Sequence, residues 1–96
     1  MIHVSVEGAR MTIKGHAGYG VYGKDIVCSA VSVLTQFVGE IIEKEKIGSY
    51  KIMENTIQLD FDPDNVISLK LQSYLLEAFK NIETDYKKNM KVEVSS

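Results

Sequence analysis

Residues 14–30 read KGHAGYGVYGKDIVCSA, and the fold depends on how they are taken. Gly18, Gly20 and Gly23 match the spacing G-x-G-x-x-G. Between a strand and a helix, that spacing cradles a dinucleotide pyrophosphate and belongs to a doubly wound parallel sheet. The same stretch holds four of the seven glycines, one of the two histidines, His16, and the one cysteine, Cys28. Read for those two side chains, it is a loop and a helix start with thiol chemistry.

The residues upstream decide between the two. Ile2, Val4 and Val6 alternate with His3, Ser5 and Glu7, and Met11 and Ile13 alternate with Arg10, Thr12 and Lys14 beyond Gly8-Ala9. This period of two predicts a half-buried hairpin. A phosphate cradle needs its strand inside a βαβ unit and a helix N-terminus open to the anion. Here the strand is the second arm of a hairpin, and Asp25 at the helix start would repel a phosphate. The glycines therefore read as a loop. Ninety-six residues are also too few for a doubly wound sheet with a second domain.

Working outward, Asp25 is a suitable N-cap for a helix running from Ile26 to about Lys46, with Gly48 as its stop. Tyr50, Ile52 and Met53, then Ile57, Leu59 and Phe61, predict a second hairpin turning at Glu54-Asn55. Asp62-Pro63-Asp64-Asn65 supplies a turn and a new cap. Val66, Ile67, Leu71, Tyr74, Leu75, Ala78, Phe79 and Ile82 recur at helical spacing to about Tyr86, and Met90, Val92 and Val94 read as a final strand. The order ββαββαβ predicts an α+β fold, a mixed and mostly antiparallel sheet packed with two long helices, as one domain over residues 1–96.

Composition narrows the function. Thirteen acidic residues stand against eleven scattered basic ones, net charge −2, so no basic stripe is available to track nucleic acid. A single cysteine makes no intramolecular disulfide, residues 1–10 lack a signal-peptide pattern, and Gly39 and Glu40 interrupt the longest apolar run. A cytosolic chain without a membrane span is expected. Zinc wants four soft or imidazole ligands, whereas one cysteine and two histidines are present, so no metal is expected.

Cys28 has two readings on these grounds. At about 100° per residue, Ile26, Val27, Ala30, Val31, Leu34, Phe37, Val38, Ile41 and Ile42 form one stripe centred near Val27 and Leu34. Cys28 lies about 120° from that centre, at the stripe's edge or beyond. With Asp25 as N-cap it occupies the first helical turn, where unpaired N–H groups and the helix dipole favour a thiolate, although the charge of Asp25 opposes this. His16 lies twelve residues earlier, where the second strand gives way to the loop, so a Cys–His pair at one end of the domain is feasible. A buried structural thiol is equally consistent. On the second helix, Leu69 and Leu76 fall off the main stripe and can mark a dimer surface.

Taken whole, Gly15-His16-Ala17-Gly18-Tyr19, then Gly23, then Asp25-Ile26-Val27-Cys28-Ser29-Ala30-Val31-Ser32 closely resembles the signature of the ribosomal-processing cysteine protease family Prp, also called YsxB-like. The resemblance extends over essentially the whole chain. It implies a cysteine endopeptidase, usually a homodimer, that removes an N-terminal extension from a large-subunit ribosomal protein, the one numbered twenty-seven, cutting after paired phenylalanines. It places the nucleophile on Cys28, the base on His16, and a family aspartate on Asp25. Capping the helix is the simpler role for Asp25, because one side chain cannot easily cap and also orient His16.

With those roles, backbone N–H groups at the helix start, those of Cys28 and Ser29 being nearest, would stabilise the oxyanion. The loop with Gly18, Tyr19, Gly20, Tyr22 and Gly23 would admit the peptide, its tyrosines walling an apolar pocket. No cofactor is needed. A different class of function, a non-catalytic module binding an extended peptide with the same fold, is the alternative.

Overall fold

The computed structural model describes residues 1–15 and 26–95. Its elements are β1 (Ile2–Glu7), β2 (Arg10–Lys14), α1 (Ile26–Lys44), β3 (Gly48–Met53), β4 (Thr56–Phe61), α2 (Val66–Asp85) and β5 (Met90–Ser95). The strands form one sheet in the order β3-β4-β2-β1-β5. All neighbours are antiparallel except β1 and β5, which run parallel. This is the expected α+β fold with a mixed, mostly antiparallel sheet.

The alternation read in the sequence sets the two faces. Val4 lies beside Ile13 and Val92, and Ile13 beside Ile57, so one face collects the apolar residues of every strand. Both helices cover that face, and Val4, Met11, Ile13, Ile57 and Leu59 are fully buried beneath them. The other face is open and carries His3, Ser5, Glu7, Arg10, Lys14, Lys51, Lys91 and Glu93.

The helices are turned about their axes relative to the expectation. In α1 the buried residues are Val27, Cys28, Val31, Thr35, Val38, Gly39 and Ile42. That face is centred some 70° from the predicted stripe. Thr35 can lie at the core because its hydroxyl donates to the Val31 carbonyl at 2.6 Å. Gly39 lies there because a Cβ would come within 2.7 Å of the Tyr50 ring, so the ring rests on bare backbone. In α2 the buried set is Ser68, Gln72, Leu75 and Phe79. Ser68 donates to the Ile47 carbonyl at 2.7 Å and Gln72 to the Gly8 carbonyl at 2.8 Å, so each buried polar group is satisfied.

The consequence is an apolar surplus in solvent. Ile26, Val33 and Phe37 of α1 and Ile67 and Tyr74 of α2 are exposed. Leu76, read as a dimer marker, is instead half-buried against the core, and Leu69 is 40% exposed. The surplus also explains why α1, despite Gly39 and Glu40, is by length and composition apolar enough to cross a membrane. One of its faces packs on the sheet while a second apolar strip faces outward.

Helix ends follow local chemistry. α1 stops two residues before the expected Lys46, which instead adopts a positive φ of 58°. Lys46 N–H reaches the Glu43 carbonyl and Ile47 N–H the Ile42 carbonyl, a Schellman closure with lysine in the usual glycine place. Gly48 then opens β3 and is not the stop. α2 starts as expected, Asn65 accepting from Ser68 N–H at 2.9 Å.

Each edge strand is met by a glutamate from the helix above it. Glu43 of α1 accepts from Tyr50 N–H of β3 at 3.2 Å, and Glu83 of α2 accepts from Val92 N–H of β5 at 2.8 Å. These carboxylates occupy donors that another chain would otherwise pair with.

On the open face, Arg10 Nε and Gln58 Nε2 donate to the two oxygens of Asp60 at 2.8 and 2.9 Å. Burial alone would push this carboxyl up, but the hydrogen bonds and charge of Arg10 and the Gln58 bond outweigh it and hold it below its ordinary 3.8. A lowered value means stability that is present above the ordinary carboxylate range and lost as pH falls through the folded value. Arg10→Ala is expected to move the acid-unfolding midpoint to higher pH. The difference should shrink in high salt, because the pair is partly exposed. Acid titration followed by circular dichroism at two salt concentrations checks this.

Candidate active site

Strand direction brings the end of β2 and the start of α1, which carries Cys28, to one end of the sheet. β2 runs toward Lys14, paired with Thr56 beside the β3–β4 turn. At the far end of α1, Ile42 approaches Gly48, where β3 begins. Cys28, fourteen residues before Ile42, therefore lies roughly 21 Å back along the helix, at the end where β2 finishes and β3 turns into β4.

Gly15 is the joint at that end. It has a φ of 91°, and its N–H donates to the Asn55 carbonyl at 3.0 Å. Asn55 itself has a φ of 61° in the turn predicted at Glu54-Asn55. A Cβ on Gly15 would lie 2.6 Å from the Met1 carbonyl oxygen. Both the backbone sign and the space demand glycine there. The end of β2 at Gly15 is thus fixed by Met1 on one side and the β3–β4 turn on the other. The sequence showed Gly15 only as part of a motif; its tie to Asn55 had no local signal.

Cys28 sits in the first turn of α1 and is 6% exposed, inside the core cluster with Val27 and Val31. This corrects the reading that placed it at the stripe's edge, since rotation of α1 turns Cys28 toward the sheet. Ser29, next in the helix, is exposed. The first-turn N–H groups lack intrahelical acceptors, giving this end a partial positive charge suited to an anion. His16, Asp25 and the loop residues Gly18, Tyr19, Gly20, Tyr22 and Gly23 lie outside the described residues.

On the open face at the same end, the register sets Lys14, His3 and Lys91 side by side across β2, β1 and β5. Among the described residues, the ion pair is Arg10–Asp60, toward the other end of this face. A cleft of about 370 Å³ between α2 and β5 is lined by Met1, Glu83, Thr84, Lys87, Met90 and Lys91 and contains none of the expected site residues. Among the described residues, no group of three or more His, Cys, Asp or Glu could hold a metal ion.

Comparison with known proteins adds to this geometry. The family model for cysteine protease Prp matches residues 1–91. The essential ribosomal processing protease Prp from S. aureus, in complex with a covalently linked product peptide, superposes with a TM-score of 0.77 at 20% identity over 98% of this chain and 97% of its own. The same S. aureus protease with a substrate peptide gives 0.79 at 18% identity, over 98% and 97%. SMU.848 from Streptococcus mutans gives 0.79 at 21% identity, over 98% and 93%. No curated protein sequence matches. At these identities the superpositions establish a shared fold.

Proposed function

Because the chain belongs to the cysteine protease family Prp, matched over residues 1–91, we propose that it is an endopeptidase with Cys28 as nucleophile and His16 as general base. Its substrate in this reading is the precursor of the large-subunit ribosomal protein numbered twenty-seven, whose N-terminal extension it removes. The observation that carries the proposal is the family match, joined to the position of Cys28 in the first turn of α1.

His16 takes the thiol proton as Cys28 Sγ attacks the scissile carbonyl, and backbone N–H groups of the helix start, those of Cys28 and Ser29, hold the oxyanion. His16 returns the proton to the leaving amine, which departs and leaves a thioester. Water then attacks the thioester, with His16 taking its proton; the C–S bond breaks, the acid product leaves, and His16 returns the proton to the Cys28 sulfur. In this reading Asp25 serves as the N-cap of α1 rather than as a third catalytic member, no cofactor takes part, and the reaction belongs in the cytosol.

Incubation with a synthetic peptide spanning the precursor's cleavage site tests this directly. Wild type is expected to yield two fragments, and Cys28→Ala and His16→Ala none. Binding without cleavage by wild type would instead identify a peptide-binding module with a structural thiol, a reading that the burial of Cys28 keeps in view.

The proposal includes a second copy of the chain. Ile26, Ala30, Val33 and Phe37 follow 4-3-4 spacing along α1, as do Ile67, Leu71, Tyr74 and Ala78 along α2, a helix-pairing seam on each. Ile26, Val33, Phe37, Ile67 and Tyr74 are exposed members of these seams, apolar surface of the kind that a partner helix covers. Phe37→Glu, at a position 63% exposed, is expected to convert a dimer to a monomer in sedimentation velocity without lowering Tm of the monomer. An unchanged sedimentation coefficient would rule this surface out.

A further inference from the structure

We propose that the outer edge of β3 at Ile52 receives the substrate peptide as a sixth strand, an inference that rests on the peptidase reading. Met53 pairs with Thr56 to close the two-residue turn, so Lys51 and Met53 point their backbone groups at β4, while Tyr50 and Ile52 point theirs outward. Glu43 occupies the outward N–H of Tyr50, and of the outward pairs left without a partner among the described residues, those of Gly48 and Ile52, the one at Ile52 lies toward the Cys28 end. An extended backbone is the ligand that satisfies a donor and an acceptor so arranged.

Side chains and position agree with that occupant. Ile52 is 60% exposed on the helix side and Met53 43% exposed on the open side, at the end of an edge strand where charged residues are the usual protection. Two successive apolar residues of a paired strand face opposite sides, so one meets Ile52 and the next meets Met53. On the opposite edge Glu83 takes the Val92 N–H in the same way, and the open pair there, at Val94, lies at the end of the sheet away from Cys28. Immediately beyond Met53 come Glu54 and Asn55, and the Asn55 carbonyl holds Gly15. A peptide laid on Ile52 and continued past Met53 runs toward the end of the sheet that holds Cys28.

The experiment uses the full chain and the synthetic peptide spanning the precursor's cleavage site. Ile52→Pro deletes the edge N–H at a position where an edge strand accepts proline, and is expected to raise KM roughly five- to tenfold with kcat within about twofold. Ile52→Ser keeps the N–H and removes the apolar contact, and should raise KM about threefold. Val94→Pro, on the other edge, should leave KM unchanged. In Cys28→Ala protein, saturating peptide should slow amide hydrogen exchange at Ile52 about tenfold, a readout that needs neither proline nor turnover. Unchanged exchange, or an equal rise in KM from Val94→Pro, overturns the docking site. Cleavage by wild type without protection at Ile52 removes the docking inference alone, whereas protection without cleavage supports it and removes the peptidase reading.

Discussion

Cys28→Ala is expected to lower kcat/KM for the precursor peptide by at least about a thousandfold, leaving the fold in place, since no other thiol can form the acyl-enzyme. The stability cost should be small. Cys28 is nearly fully buried, and replacing its sulfur with hydrogen leaves a cavity smaller than a methionine truncation would, worth about 1 kcal/mol. A purely structural thiol would show the reverse, a modest loss of Tm with any peptide cleavage retained. Circular dichroism melts and mass spectrometry of the digested peptide, run on one preparation, separate the two outcomes.

The second large effect is expected at Gly15. Alanine there must adopt a φ near 91° and also meet the Met1 carbonyl oxygen at 2.6 Å, so strain and overlap act together. A cost of about 1–3 kcal/mol follows, or a fall in Tm of roughly 5–15 °C for a domain of this size. Because Gly15 immediately precedes His16, the general base of the proposed mechanism, kcat/KM should fall even at temperatures where the variant is fully folded. Gly8→Ala is the control, with a positive φ of 57° but open space around it and no link to the site. Equal losses of activity in the two variants would sink the positioning role of Gly15.

The sheet was legible because His3, Ser5 and Glu7, and Arg10, Thr12 and Lys14, alternate cleanly with core residues. Both hairpins, both helices and the Asn65 cap were readable for the same kind of local reason. The helix faces were not. Thr35, Ser68 and Gln72 count as polar in any periodicity, yet each finds a backbone carbonyl and goes inside, turning α1 and α2 so that Phe37 and Tyr74 face water. That turn hid the burial of Cys28. Strand order was beyond reach too, since nothing in Met90, Val92 and Val94 says that they lie parallel to β1 rather than against a nearer strand. Of the site, the motif named Cys28 and His16, but the Gly15–Asn55 hydrogen bond joins residues forty positions apart and leaves no trace in either neighbourhood.

The pairing of β1 with β5 has a kinetic consequence. Ile2 stands beside Met90, so the first strand in sequence gains its second neighbour only when the last one arrives. The hairpins can form early from local contacts, but this closure spans nearly the whole chain and should be the slow, late step of folding. During synthesis the outer edge of β1 stays open until residues 90–95 leave the ribosome, and for that interval the nascent chain is at its most vulnerable to pairing with a neighbour.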